Sequence, residues 1–111
     1  MGGPYRPAPA ARRALRKLGE DIREARLRRN LPMEVVAERA STSRSTLARV
    51  EKGDPGVGLG VLAGVLQALG LLGRLADLAD SALDAEGLEI NRQTLRQRAS
   101  TPRRPGRAED D

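Results

Sequence analysis

The apolar residues of this chain recur at helical spacing in successive segments. The first stripe follows i, i+3, i+7 and i+10 and consists of Leu15, Leu18, Ile22 and Ala25. This spacing predicts one long helix that begins near Ala11. Asn30 lies just beyond the stripe and is suited to the left-handed conformation that ends such a helix.

Two short helices joined by a tight turn are predicted next. In the first, Met33–Ala40, one face carries Val36, Ala37 and Ala40. Ala37 is small enough for two helices to cross steeply beside it. In the second, Arg44–Glu51, the inward residues are Leu47 and Val50.

The outward face of that second helix is polar. Once Leu47 and Val50 point inward, the residues left facing out are Arg44, Ser45, Ala48 and Arg49. Ser43 precedes the helix, where its hydroxyl can cap the first turn. This is the pattern of a helix-turn-helix, whose second helix enters the major groove of DNA.

Two further helices are predicted after the turn at Asp54-Pro55-Gly56. The fourth stripe consists of Leu59, Leu62, Leu66 and Leu69, with Gly70 as its end, and the fifth consists of Leu71, Leu75, Leu78 and Ala82. Segment 57–79 holds more apolar residues than one helical face needs. The surplus fits either a well-filled core or a dimer interface over Leu59–Leu83, and symmetric dimers are the common oligomer.

The chain ends are predicted to be arms on either side of one domain. Residues 1–10 are rich in proline and glycine and predict a disordered arm, residues 11–83 form the domain, and residues 84–111 form a basic tail. Within that tail, the sequence GLEI fits a short extended segment, and disorder is predicted from Arg92 onwards. Six arginines there suit DNA phosphates or a minor groove, and they equally suit a solubilising tail.

Composition narrows the chemistry. Tyr5 is the single aromatic residue, and the chain of 111 residues has no cysteine and no histidine. We therefore expect an all-α fold with an aliphatic core, no disulfide, no metal site and no cofactor. No phosphate-binding glycine loop and no nucleophile–base pair is found, so we expect no enzyme. No apolar run approaches a membrane span or a signal segment, which favours a cytoplasmic, nucleoid-associated location.

Positive charge is concentrated on the predicted helix-turn-helix. Residues 11–52 carry twelve Lys/Arg against six Asp/Glu, whereas residues 53–90 carry one arginine against six acids. Such an excess suits binding to phosphates. The alternative is an ordinary solvated surface, which for most of the arginines on the first helix is the simpler interpretation.

A family resemblance rests on several of these spacings together. The chain from about Leu15 to Ala79 resembles the Xre-type helix-turn-helix family of phage repressors, Cro proteins and many antitoxins. The matching residues are Arg26, Leu31, Val36, Ala37, Ser43, Leu47, Val50, Glu51 and Gly53. Two positions depart from the family pattern: Ser41 stands where glycine is usual in the turn, and Pro32 stands where a capping Ser, Thr or Asn is usual. The resemblance implies a five-helix lambda-repressor-like domain.

Candidate DNA contacts follow from position and from the resemblance. Arg44 can donate two parallel hydrogen bonds to guanine O6 and N7, and Lys52 with the Gly53 amide suits backbone phosphates. The resemblance places base contacts at Ser43, Arg44, Ser45 and Arg49, although a cap alone is the simpler role for Ser43. It also implies a structural ion pair between Arg26 and Glu51.

The sequence leaves two classes of function open. The first is a dimeric repressor that binds a palindromic operator in double-stranded DNA. Segment 53–80 with the basic tail suggests a narrower likeness: the chain over about Leu18–Asp80 is similar to HipB-like antitoxins. This implies autorepression and a HipA-like kinase toxin as partner. The second is a protein-interaction module that uses this fold without DNA, which the surplus apolar surface and the acidic second half permit.

Overall fold

The computed structural model describes residues 6–100, which are helical apart from short connections. The helices are α1 (Pro9–Arg28), α2 (Met33–Arg39), α3 (Arg44–Glu51), α4 (Leu59–Ala68), α5 (Leu72–Asp77), a 3-10 turn (Ser81–Leu83) and α6 (Ala85–Ser100). The all-α fold class is therefore confirmed, and the first five helices follow the expected order. The sixth helix was not expected. No helix within residues 6–100 is long and apolar enough to cross a lipid bilayer.

Helix α1 begins at Pro9, two residues before the predicted start. Proline suits a first helical position because its fixed φ is already helical and its missing N–H is not needed there. The helix ends at Arg28, and Asn30 just beyond it has the predicted left-handed conformation, with a φ of 54°. Residues 1–5 of the predicted N-terminal arm lie outside the described residues.

The core lies within residues 6–75, one of two compact units into which the chain divides. Helix α1 contributes its predicted stripe, with Ile22 and Ala25 buried and Leu15 and Leu18 half-buried. Residues from α1, α2, α3 and α4 and from the turn that ends α4 form one apolar cluster, namely Ile22, Ala25, Val36, Ala37, Leu47, Val50, Val65, Leu66 and Leu69.

Helix α4 departs from its predicted stripe at its first residue. Leu59 is 80% exposed, because the buried face is built from Val65, Leu66 and Leu69 at the other end of the helix. Gly64 lets α4 approach α2, since a Cβ there would lie 3.0 Å from the Ala40 carbonyl oxygen.

The second unit begins at Ala76 and corrects three predictions. Helix α5 ends at Asp77, so Leu78 and Ala82 are not part of it. Residues 87–90, predicted to be extended, are helical. The segment from Arg92, predicted to be disordered, is helical as far as Ser100; residues 101–111 lie outside the described range.

Helix α6 forms because its sequence supplies a cap and good helix formers. The Asp84 carboxylate accepts a hydrogen bond from the Gly87 backbone N–H at 3.0 Å, which satisfies a free donor of the first turn. Glu89 accepts a hydrogen bond from Arg92 one turn later, at 3.2 Å. The composition of this segment favours disorder, but arginine is also a good helix former.

Candidate nucleic-acid interface

The turn between α2 and α3 is left-handed at Ser41. Its φ is 56°, a conformation that glycine adopts without strain and serine does not. The turn is closed by two backbone hydrogen bonds, from Ser41 N–H to the Glu38 carbonyl at 3.0 Å and from Thr42 N–H to the Ala37 carbonyl at 2.9 Å. Serine is therefore accommodated by the local hydrogen bonding, and the departure from the family pattern leaves the geometry intact.

Ser43 caps α3. Its Oγ accepts a hydrogen bond from the Thr46 backbone N–H at 3.1 Å, as expected for an N-cap residue. The same oxygen lies 2.9 Å from Thr46 Oγ1 and 3.1 Å from Ser45 Oγ. The start of α3 thus presents an exposed cluster of three hydroxyls.

Arg44 is exposed beside this cluster. Its Nη1 lies 3.6 Å from Glu34 Oε1, and both side chains are 67% exposed. An exposed pair at this distance contributes little and is easily exchanged for another partner. The Arg44 guanidinium is therefore free to turn towards a ligand placed against α3.

Arg49 is held differently from Arg44. Its Nε donates to Asp54 Oδ2 at 2.7 Å, and Asp54 Oδ1 accepts from the Gly56 backbone N–H at 2.7 Å. The hydrogen bond from Arg49 and then that from Gly56 hold the pKa of Asp54 below its ordinary value. Arg49 is thus tied to the turn after α3. Sequence reasoning missed this role of Asp54.

Lys52 and Gly53 follow α3. Lys52 is exposed, whereas the Gly53 N–H already donates to the Val50 carbonyl oxygen at 3.0 Å. The Gly53 amide would have to give up that bond to meet a phosphate. Gly53 instead has a packing role, because its φ is +74° and a Cβ would lie 2.5 Å from the Leu15 carbonyl oxygen.

Arg26 and Glu51 join α1 to the end of α3. Arg26 Nε lies 2.7 Å from Glu51 Oε2 and Nη2 lies 3.1 Å from Oε1, in a two-bond arrangement. Arg26 Nη1 also donates to the Leu31 carbonyl at 3.2 Å. The hydrogen bond to Glu51 raises the pKa of Arg26, and both side chains are at least 91% buried. The pair fixes α3 on its scaffold and is remote from any surface contact.

Together these residues present one polar face on a rigid support. Arg44, Ser45 and Arg49 lie on the exposed side of α3, while Leu47 and Val50 are buried on the other. No cluster of acidic side chains able to hold a metal ion occurs in the described part of the chain. The arrangement offers donors and positive charge in a row, which suits the edges of bases and the phosphates beside them.

One comparison with known proteins gave a match. The sequence model of the family described as a helix-turn-helix domain matches residues 17–79, more than half of the chain. No curated protein and no solved structure matches this chain.

Proposed function

Because the chain belongs to the helix-turn-helix domain family, we propose that it is a sequence-specific transcriptional repressor that binds double-stranded DNA as a homodimer. It acts by binding and carries out no catalysis, and it works at the nucleoid, in the cytoplasm. The observation that carries this proposal is the exposed polar face of α3 on a buried frame.

The contacts of α3 are assigned by position. Arg44, at the start of the helix, donates to a guanine, and Ser43 and Ser45 meet a neighbouring base edge or phosphate. Arg49 contacts a base or a flanking phosphate through the guanidinium nitrogens that Asp54 leaves open. Lys52 binds the backbone.

The test of the proposal is selection of duplexes from a random pool by the purified protein. We expect one palindromic sequence to be enriched, with affinity well above that for random duplex at the same salt concentration. Recovery of no preferred sequence, together with salt-independent binding, would remove the repressor function.

The homodimer places two copies of α3 on successive major grooves, since a single helix-turn-helix reads too few bases to be selective. Its interface is the segment Leu59–Leu83. Exposed leucines support this assignment in each unit by itself, with Leu59 at 80% in the first and with Leu78 at 79% and Leu83 at 68% in the second. Burying a leucine contributes about 1.5–3 kcal/mol, which favours a partner surface there.

A narrower version is a HipB-like antitoxin that represses its own operon and binds a HipA-like kinase toxin. Helix α6 supports it, because Leu88, Ile90 and Leu95 are exposed there and phosphates give apolar groups nothing to pack against. The test is first to look for a kinase-like reading frame beside the gene, whose absence would count against the antitoxin, and then to titrate its product with wild type and with the Leu88→Ser, Leu95→Ser double variant. We expect the variant to lose toxin affinity and to keep DNA affinity; equal affinities for the toxin would exclude this surface.

The same exposed leucines favour one alternative, a protein-interaction module that does not bind DNA. Salt-dependent binding to random duplex separates the two functions, because a module without DNA contacts releases no counterions. A flat response to salt, with retained binding to a protein partner, would favour the module.

A further inference from the structure

We infer that Arg12, Arg16 and Lys52 form a site for a DNA backbone phosphate at the C-terminal end of α3. This inference rests on the proposed DNA binding. It extends the contact surface from α3 to the first half of α1, where an ordinary solvated face is the simpler interpretation of most of the arginines.

The site is an open concavity between two elements. Its lining consists of Arg12, Arg16, Lys52, Gly53, Asp54 and Pro55. Gly53 brings the two elements together, since a Cβ there would lie 2.7 Å from both the Arg16 Cα and the Arg16 backbone nitrogen. The Arg16 backbone therefore lies directly beside Gly53, the residue that follows Lys52.

The three cations of the concavity have no acidic partner in the part of the chain that the structure describes. Within residues 6–100, no carboxylate lies within 4.0 Å of their charged nitrogens. Asp54 is the one acid among the lining residues, and Arg49 and Gly56 already occupy both of its oxygens. By contrast, Lys17 on the next face of α1 pairs with Asp21 at 2.6 Å.

A phosphate is the ligand that suits this arrangement. Arginine and lysine donors bind phosphate oxygens through charge-assisted hydrogen bonds. The C-terminal end of α3 carries about half a negative charge from its helix dipole, which three cations outweigh. The concavity also adjoins the end of the proposed recognition helix, and a groove that such a helix enters is bordered by the phosphate backbone.

The test compares two double variants that remove the same charge from neighbouring positions of α1. In the test variant, Arg12→Gln is combined with Arg16→Gln; in the control, Arg13→Gln is combined with Lys17→Gln. For each, the dependence of binding on salt is measured with a random-sequence duplex and with the duplex enriched by selection. We expect the test variant to lower the salt slope by about one unit per bound chain, because the site neutralises one phosphate, equally for both duplexes, and the control to stay near wild type.

Two further measurements keep the test decisive. Arg12→Lys with Arg16→Lys retains the charge and should retain the slope, and thermal melts should show that every variant is folded. If the test variant and the control have the same slope, the phosphate site is excluded. If in that case the wild type still selects one sequence and Arg44→Ala still relaxes it, the proposed function stands without this site; if the wild type binds no duplex, both fail.

Discussion

Gly19 and Gly53 touch backbone to backbone: a Cβ on Gly19 would lie 2.7 Å from the Gly53 nitrogen and 2.6 Å from the Glu51 carbonyl oxygen. This contact holds α1 against the end of α3 more closely than any pair of side chains would allow. Because neither Gly19 nor Gly53 has a side chain, α1 can pack closely against the end of α3, and this packing positions the recognition face of α3.

The first prediction is that Gly19→Ala destabilises the fold. Alanine is the better helix former by about 1 kcal/mol, but its methyl group would meet backbone atoms that cannot turn aside. We expect a net loss of about 1–3 kcal/mol in the free energy of unfolding, measured by urea denaturation. Gly60→Ala is the matched control, because Gly60 is helical and a Cβ there meets nothing within 4 Å; equal stability of the two variants would contradict the close approach.

The contact at Gly19 also shows which parts of the fold can be predicted from the sequence and which cannot. A glycine inside a helical pattern is costly and so points to packing, but its partner cannot be read from spacing. The stripes of α1, α2 and α3 could be predicted because burial imposes a period of 3.6 residues. The role of Asp54 could not, because it joins residues across the end of a helix, where no period applies.

Helix α6 could not be predicted from the sequence for a different reason. Its arginines and the prolines beyond it favour disorder by composition, whereas the helix is set by local features: the Asp84 cap and the Glu89–Arg92 pair. None of the described residues after Leu75 is buried. This segment therefore has no stripe of buried apolar residues, so the helix could not be predicted from helical periodicity.

The second prediction is that Arg26→Ala is the most destabilising of the single arginine changes. It leaves the Glu51 carboxylate buried without its partner, which costs about 3–5 kcal/mol. Thermal and urea unfolding measure the loss. Arg44→Ala provides the comparison, because its pair with Glu34 is exposed and contributes at most about 1 kcal/mol. An Arg26→Ala melt within error of wild type would show that the pair is solvated.

The third prediction concerns the pKa of Asp54, which Arg49 and the Gly56 N–H hold below its ordinary value of 3.8. A carboxyl whose pKa is lowered on folding stabilises the native state above its unfolded pKa. That contribution is lost as the pH falls through the lower, folded value. Carbon NMR titration of the folded protein should therefore give Asp54 a pKa below its ordinary value of 3.8.

Two variants assign the cause of that shift. Arg49→Gln should move the Asp54 pKa back towards 3.8, because the hydrogen bond from Arg49 is its largest cause. Lys52→Gln removes the same charge from the adjacent turn without touching a hydrogen bond of Asp54, and should leave its titration nearly unchanged. If both variants shifted the pKa alike, general positive charge would be the cause, not the Arg49 bond.

The fourth prediction separates base reading from phosphate binding. Arg44→Ala should cost about 1–3 kcal/mol at one base pair and relax specificity there. Lys52→Ala should weaken all duplexes alike and lower the salt slope by about one unit. Binding titrations against the enriched duplex, its single-base variants and random duplex measure both effects. Equal losses for the enriched and the random duplex in both variants would overturn these roles.

The last prediction is that the chain is a dimer held by the exposed leucines of segment 59–83. Sedimentation at micromolar concentration should give twice the chain mass of 11.9 kDa. Leu59→Ser should weaken the dimer and leave the fold intact, because this side chain is 80% exposed within the chain and makes little contact with the core. Leu27→Ser is the control, since Leu27 is 47% exposed on α1 and lies outside the segment. A wild-type protein that sediments as a monomer, both free and on DNA, would remove the dimer and the palindromic operator together, since a single copy has no second half-site to read.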